Sequence, residues 1–201
     1  MNRRLLICAA LLLLSPQPAL AQDAASPVVA PAAHRAELET PLGVIVIELD
    51  ARAPVTSANF MRYVDEGRFD GVAFYRSMNL GAAGGLIQGG AGGAHDRILP
   101  PIAHEPTSQT GLAHVDGAVA MARFEPGSAT GDFFIIVGSG MGSLNAGPAD
   151  PGFAVFGRVV EGMEVVRAIL AAPRSPTAGE GVMVGQMLEP KITITDARRA
   201  D

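Results

Sequence analysis

The stretch that decides the fold runs from Phe153 to Leu170 and reads FAVFGRVVEGMEVVRAIL. Its first part, as far as Val160, is a short apolar run, which is typical of a buried strand. After Gly162, apolar residues recur three and four positions apart, the spacing of one helix face. Pro173 follows and would stop that helix. The stretch therefore predicts a strand that turns into an amphipathic helix.

Short apolar runs separated by Gly, Pro, Asn and Asp occupy much of the remaining chain. An earlier helix is predicted from Pro54, with Phe60 and Val64 on its apolar face and Gly67 at its end. Eight antiparallel strands can close into a barrel that their own side chains fill. The sequence thus predicts a mainly β fold, a closed eight-stranded antiparallel barrel with two α-helices. The predicted strands are a hairpin formed by Leu38 and 44–49, then 72–75, 86–87, 118–122, 133–137, 153–160 and 191–195.

Two glycine-containing stretches are predicted as loops. Residues 81–93 resemble a phosphate-binding loop only in their glycine content, because no Gly-Lys-Ser/Thr follows and no G-x-G-x-x-G lies between a strand and a helix. We expect a mobile surface loop with a short strand inside it. Residues 173–190 are predicted as a second long loop.

The N-terminus has the three parts of a secretory signal peptide. A basic start with Arg3 and Arg4 precedes ten apolar residues, 5–14, and residues 19–21 read Ala-Leu-Ala, a small-x-small cleavage pattern. We therefore predict cleavage and a periplasmic protein, with an uncleaved membrane anchor as the alternative. The predicted organisation is a signal peptide over 1–21, a flexible leader over 22–36, a folded domain over 37–197 and a C-terminal tail over 198–201.

Composition excludes several classes of function. The 201 residues are 48% hydrophobic, enough for one domain with a core, and the net charge of −5 argues against a nucleic-acid binder. The single cysteine, Cys8, lies in the predicted signal peptide, so no intramolecular disulfide can form. The four histidines match no compact metal-ligand spacing, and we expect solvated loop histidines. Neither a metal nor a cofactor is predicted.

Five short blocks carry the functional signal. A strand-borne Arg and a Gln surrounded by Phe, Met and Leu would form an apolar groove with one fixed cation. In this order the blocks resemble the cyclophilin family of peptidyl-prolyl isomerases, especially its bacterial periplasmic members, over about Leu38 to Thr195. The blocks are Phe74-Tyr75-Arg76, Ile87-Gln88-Gly89-Gly90, Ala120-Met121-Ala122, Phe133-Phe134-Ile135-Ile136 and residues 156–163.

The resemblance implies a barrel with a helix over each end, and rotation about X–Pro peptide bonds as the activity. It implies Arg76 as the catalytic residue, with Gln88 orienting it. The implied partners are unfolded or partly folded proteins and peptides that contain X–Pro bonds, with no nucleic acid and no membrane after signal cleavage; we expect a monomer. The implied substrate-binding residues are Leu86, Ala122, Arg123, Asp132, Phe134, Leu144 and Phe153.

Three departures from the family pattern bear on activity. Four residues are inserted after Arg76, and the usual Phe at the floor of the proline pocket falls on Gly85, so that Met78 or Leu80 would have to fill the gap. The usual Gln before Phe-Phe is Asp132, which would weaken catalysis if it formed a bidentate pair with Arg76, whereas a loose pair at one edge would hold the Arg fork in line and help. A proline-peptide-binding chaperone or adaptor with weak or no catalysis is therefore the alternative function, and a structural barrel without a peptide site is a third.

Overall fold

The structure, a computed structural model, describes residues 34–200. Within these residues the chain forms nine strands and three α-helices. The strands are β1 (Arg35–Thr40), β2 (Gly43–Leu49), β3 (Ala73–Asn79), β4 (Gly85–Gly90), β5 (Ala118–Met121), β6 (Asp132–Val137), β7 (Val155–Glu161), β8 (Met187–Thr193) and β9 (Asp196–Ala200). The helices are α1 (Pro54–Asp65), α2 (Thr107–Thr110) and α3 (Met163–Ala171), and short 3₁₀ turns cover Gly81–Ala83, His95–Arg97, Gly142–Leu144 and Gly181–Met183.

All nine strands belong to one antiparallel sheet in the order β8-β3-β4-β6-β5-β7-β2-β1-β9. The two edge strands are consecutive in the chain and are joined only by Ile194 and Thr195, so the sheet curls to bring its edges together. The Ile194 amide still donates to the Val72 carbonyl beside β3, whereas the Thr195 amide already donates to the Glu39 carbonyl of β1.

This change of partner corrects the prediction of a closed eight-stranded barrel. The predicted last strand, 191–195, is divided between β8 and β9 because the chain leaves β3 and joins β1 at Ile194 and Thr195. The sheet is therefore an open, curled sheet of nine strands. The predicted mainly β character is confirmed.

The helices agree with the sequence pattern except in number. α1 begins at Pro54 and buries Phe60, Tyr63 and Val64. The residues of α3 that carry the predicted apolar spacing are all buried, namely Val165, Val166, Ile169 and Leu170. α2 is a third helix of a single turn, too short to produce an apolar period. The predicted hairpin is confirmed by β1 and β2, in which Thr40 pairs with Gly43 across the Pro41-Leu42 turn.

The N-terminus of α1 is capped from a distant part of the chain. Ala53, the residue before the helix, offers no side-chain cap. Instead the buried carboxylate of Glu105 accepts hydrogen bonds from the amides of Val55 (3.1 Å) and Thr56 (2.8 Å) and from the Thr56 hydroxyl (2.6 Å). A negative charge is favourable there because the helix dipole is positive at its N-terminus.

Successive residues of β6 point to opposite faces of the sheet and thereby separate two apolar clusters. Phe133 and Ile135 belong to the main core, in which Phe60 and Phe69 also pack. Phe134 and Ile136 belong to a smaller cluster on the other face. The main core is enclosed by the curled sheet and the helices, and the smaller cluster is where the candidate site lies.

Some predicted boundaries differ from the structure. β1 begins at Arg35, inside the predicted leader, and β9 continues through Ala200, inside the predicted tail, so the folded region is longer than 37–197 at both ends. The signal peptide, 1–21, and most of the leader lie outside the described residues. Among residues 34–200, no helix has the length and apolar character needed to cross a membrane.

The two predicted loops fare differently. In the glycine-rich segment the predicted strand is confirmed and is longer than 86–87: it is β4, buried along its whole length between β3 and β6, while residues 81–83 and 92–93 on either side are exposed. The predicted loop over 173–190 ends early, because β8 begins at Met187.

Candidate functional site

The candidate site is a row of side chains across four neighbouring strands. Arg76 of β3 pairs with Gln88 of β4, Gln88 pairs with Phe134 of β6, and Phe134 pairs with Ala120 of β5. Side chains of directly paired residues lie on the same face of a sheet. The strand register therefore places the Arg, the Gln and the Phe beside one another, although 58 positions separate the first from the last (134 − 76).

A β-bulge in β3 adds Tyr75 to this row. Phe74 pairs with Gly89 and Arg76 pairs with the adjacent Gln88, so Tyr75 is the extra residue between them. A bulge interrupts the usual alternation and redirects side chains. As a result, Tyr75 and Arg76 both bond to the Gln88 side chain, which two successive residues of a regular strand could not do.

Two glutamines hold the Arg76 guanidinium. Its Nη1 donates to Gln88 Oε1 (2.9 Å), and its Nε and Nη2 both donate to Gln186 Oε1 (2.9 and 2.8 Å). Nη2 also lies 3.8 Å from the sulfur of Met78. One Nη1 hydrogen then has no acceptor among residues 34–200. Burial lowers the pKa of Arg76, but a guanidinium remains protonated at any working pH.

A hydrogen-bonded chain continues from Gln88 away from Arg76. Gln88 Nε2 donates to the Tyr75 hydroxyl (2.8 Å), which donates to Asp132 Oδ2 (3.1 Å). The amide of Gly92 donates to the other carboxylate oxygen, Oδ1 (2.7 Å). Burial, reinforced by the charge of Asp132, raises the pKa of Tyr75, so the hydroxyl keeps its proton.

The Asp132 carboxylate therefore does not lie against Arg76, the position that the family resemblance suggested. Within the described residues it forms no ion pair with Arg76, and its partners are Tyr75 and Gly92. Burial raises the pKa of Asp132, while the bonds from Gly92 and Tyr75 lower it. The premise of an inhibitory Arg76–Asp132 pair is not met by this geometry.

An apolar pocket adjoins the guanidinium. Gly85 cannot carry the missing aromatic floor, because any side chain there would collide with the Met78 carbonyl and its φ of +149° is unfavourable for other residues. Met78 packs against the cluster instead, whereas Leu80 is 49% exposed and does not fill the gap. The buried members of the cluster are Leu86, Ala118, Ala120, Phe134, Ile136, Met141 and Val155, and the half-buried ones are Met78, Leu112, Ala122, Leu144 and Phe153.

Stacked groups form one wall of this pocket. Phe153 meets Phe134 edge to face with ring centroids 5.4 Å apart, and the Arg123 guanidinium lies 5.1 Å from the centre of the Phe153 ring. On the other side, the ring of His114 stacks on Phe134 at 5.9 Å and an interplanar angle of 10°. Such contacts restrict the rotamers of both phenylalanines.

The Arg123 side chain is almost fully buried and binds the loop that carries Phe153. Its Nε and Nη2 donate to the Gly152 carbonyl (2.9 and 2.6 Å), and Nη2 also pairs with Asp150 (2.6 Å). The Ala122 amide donates to the Asp132 carbonyl, so this group is already engaged. The family resemblance implied Arg123 as a substrate-binding residue, and in the structure its side chain also holds the loop that carries Phe153.

Sequence reasoning did not find three residues of the site. Gln186 lies 110 positions from Arg76, in the segment predicted as a loop, and no local pattern connects the two. Tyr75 lies in the block Phe74-Tyr75-Arg76, but the bulge that gives it a role has no sequence signal. Met141 is buried in the cluster from a glycine-rich turn. All seven predicted substrate-binding residues lie in or beside the row and its pocket.

One of the histidines, His114, differs from the prediction of solvated loop histidines. His114 is buried, not solvated; its Nδ1 lies 2.8 Å from Asn145 Oδ1, and its Nε2 has no hydrogen-bond partner in residues 34–200. His95 is exposed, and His104 lies 3.4 Å from the Pro151 carbonyl. Glu105, which follows His104 in the chain, caps the N-terminus of α1. Over the described part of the chain, no three His, Cys, Asp or Glu side chains converge in a way that could hold a metal ion.

A family model described as "Cyclophilin type peptidyl-prolyl cis-trans isomerase/CLD" matches residues 35–198. The chain belongs to the cyclophilin family of peptidyl-prolyl isomerases. Among curated cyclophilin relatives, a peptidyl-prolyl cis-trans isomerase of Acinetobacter baylyi is 40% identical over 145 residues, which cover 69% of this chain and 73% of that protein. Cyp18 of Streptomyces antibioticus is 41% identical over 151 residues, covering 71% and 87%.

Solved cyclophilin structures share the fold. A cyclophilin type isomerase of Cryptosporidium parvum superimposes with a TM-score of 0.66 at 19% identity, over 84% of this chain and 98% of the other. A second structure of that protein, in the presence of the dipeptide Ala-Pro, gives 0.67 at the same identity, over 83% and 99%. At this identity the likeness establishes the cyclophilin fold alone.

Proposed function

We propose that this isomerase accelerates rotation about X–Pro bonds at the row of Arg76, Gln88 and Phe134, with the Arg76 guanidinium as the catalytic group. The observation that carries the proposal is the position of this guanidinium. Two glutamines fix it beside an apolar pocket, and one Nη1 hydrogen remains without an acceptor among the described residues. A proline ring would fit this pocket, and the remaining Nη1 hydrogen of Arg76 would then lie next to the ring nitrogen.

The chemistry follows from the amide bond. Resonance opposes rotation with a barrier of roughly 18–20 kcal/mol. In the twisted state the prolyl nitrogen regains its lone pair and becomes a hydrogen-bond acceptor. A donor aimed at this nitrogen is useful only in the twisted state, so it lowers the barrier by differential binding. The pocket formed by Phe134, Leu144 and Phe153 would hold the ring and exclude water that competes for Arg76.

A protease-coupled isomerisation assay on short Ala-Pro peptides tests this function. Arg76→Ala should lower kcat/KM by about ten-fold or more, equivalent to at least about 1.4 kcal/mol of transition-state stabilisation. Arg76→Lys should fall between, because a lysine keeps the charge but cannot bond both glutamines as the guanidinium fork does. Arg167→Ala is the matched control, since Arg167 pairs with Asp116 on the surface.

Each alternative outcome has a separate meaning. If wild-type protein does not accelerate the reaction but binds Ala-Pro peptides, the chain is a proline-peptide-binding chaperone or adaptor. If Arg76→Ala remains folded and fully active, another group performs catalysis.

For the cellular role, we propose that the protein acts as a monomer in the bacterial periplasm on exported proteins that contain X–Pro bonds, and assists their folding. The sequence of residues 1–21 supports export. N-terminal sequencing of protein from the periplasmic fraction should begin at or near Gln22, and an intact Met1 would contradict export with cleavage. Sedimentation of the same material tests the monomer.

A further inference from the structure

We propose that Asp132 is a positioning residue for the isomerisation: through Tyr75 it fixes which way the Gln88 amide faces, and thereby holds the Arg76 guanidinium in its catalytic orientation. This inference rests on the proposed function. It assigns a purpose to a half-buried carboxylate that touches neither Arg76 nor the apolar pocket in the structure.

Each group in this hydrogen-bonded chain has a fixed number of protons to donate. An ionised carboxylate only accepts hydrogen bonds, and a tyrosine hydroxyl has a single proton. At 3.1 Å from Asp132 Oδ2, the Tyr75 hydroxyl must direct that proton to the carboxylate. Its remaining lone pairs can then only accept, and the group that faces them, 2.8 Å away, is Gln88 Nε2.

The orientation of Gln88 follows from this polarity. With Nε2 committed to Tyr75, Oε1 is left to face Arg76 Nη1, at 2.9 Å. The opposite amide orientation would point two N–H donors at a guanidinium that has only donors, which is repulsive. Asp132 adds a second constraint from the other side, because it leaves the Tyr75 proton no direction except its own carboxylate.

The carboxylate is itself held in place. The Gly92 amide bonds Oδ1 and leaves Oδ2 for Tyr75. A side chain at position 92 would collide with the carboxylate, so a glycine is required for this approach. Both bonds favour the ionised form of Asp132, and only that form accepts at both oxygens.

An amide at position 132 would remove the constraint. If the Asn nitrogen faced Tyr75, the hydroxyl would accept there and could donate its proton to Gln88 instead. Only the donors of Arg76 would then oppose an amide with Oε1 toward Tyr75, so a larger fraction of Gln88 would adopt that orientation. In that fraction the guanidinium would keep only its bonds to Gln186, and its Nη1 end would lose its fixed direction.

The test compares Asp132→Asn, Tyr75→Phe and the double variant in the isomerisation assay. We expect each single variant to lower kcat by about three- to ten-fold, with KM within about two-fold of wild type, since the pocket is untouched. The double variant should be no slower than Tyr75→Phe alone, because both changes break one chain. Asp116→Asn is the control: this surface carboxylate also accepts a backbone amide bond, from Gly138 at 2.7 Å.

A structural readout separates this inference from the proposed function. In ¹⁵N-resolved NMR spectra, the Arg76 Nε–H and Gln88 side-chain amide signals should shift in Asp132→Asn and not in Asp116→Asn. Unchanged kcat, additive losses, or a loss that only follows the folded fraction would each overturn the inference. If wild-type protein is inactive, the proposed function fails, and the NMR comparison alone then decides whether Asp132 orients Gln88: absent shifts would overturn that as well.

Discussion

His114 is a neutral residue built into the back of the pocket wall. Its ring stacks on Phe134, and Asn145 Oδ1 accepts from both its main-chain amide (3.0 Å) and its Nδ1 (2.8 Å). Nε2 is buried without a partner in the described residues, so a second proton there would be poorly solvated. Burial lowers the pKa of His114, and the bond to Asn145 raises it by less.

Stability should therefore fall in mild acid. The folded pKa of His114 lies below its ordinary value of 6.5, so the unfolded chain binds the proton more readily. The stabilisation is fully present above pH 6.5 and is lost as the pH falls from there through the folded pKa. Urea denaturation between pH 7.5 and pH 5, a range chosen to span roughly that value, should show this loss in wild type.

His114→Asn is the matched variant, because an Asn can still donate to Asn145 but does not titrate. Its free energy of unfolding should vary less over the same range. An equally steep decline in His114→Asn would mean that other groups cause the acid sensitivity.

At the scale of residues, the sequence predicted which residues form the site but not which side chains bond to one another. Arg76, Gln88 and Phe134 were all identified, and the strand register brings them together. The partner of Asp132 could not be inferred, because it depends on the one-residue bulge at Tyr75. A bulge changes which side chains share a face without changing the composition of the strand.

At the scale of elements, α1 shows how a helix end can depend on a remote residue. Glu105 lies about fifty positions from the amides that it caps, and it is 5% exposed. Sequence rules look for a cap in the residue just before the helix, which here is Ala53. Pro54 was sufficient to predict where α1 begins, but nothing local could reveal what satisfies its first amides.

Glu105→Gln should destabilise the protein by about 2 kcal/mol, since a charged acceptor of several buried donors is replaced by an amide with one accepting oxygen. Urea denaturation at pH 7 measures the change. Glu125→Gln is the control, because Glu125 is exposed and its side chain makes no hydrogen bond within residues 34–200. Equal stability of both variants would show that solvent can replace the cap.

Elements with a strong period were predicted well, and elements without one were predicted only in part. α3 and the β1–β2 hairpin were found because apolar spacing and turn residues agree there. β4 has three glycines in six residues but is a fully buried strand, because its neighbours β3 and β6 approach too closely for side chains at several positions. Tertiary packing, not local propensity, decides such a strand.

At the scale of the molecule, sequence predicted the class of fold but not how the sheet ends. The change of partner at Ile194 and Thr195 depends on where β1 and β3 lie in space. Likewise, Gln186 reaches Arg76 because β8 pairs beside β3, with Arg76 opposite Met187. Both features are consequences of long-range pairing, which a single sequence does not encode in any local pattern.

The pairing of the last strand with the first has a consequence for the connectivity of the chain. Arg35 lies opposite Ala200 across the β1–β9 ladder, so residues separated by almost the whole domain are neighbours. A linker of a few residues could join these two points, and the chain could be reopened at the exposed turn between Pro126 and Gly127. We expect such a circular permutant to keep the wild-type circular dichroism spectrum and at least about a third of its kcat/KM, because neither junction lies at Arg76 or at its hydrogen-bond partners Gln88 and Gln186. A permutant that does not fold would show that the β5–β6 connection is needed to assemble the sheet; one that folds would show that the order of strands in space does not depend on where the chain starts.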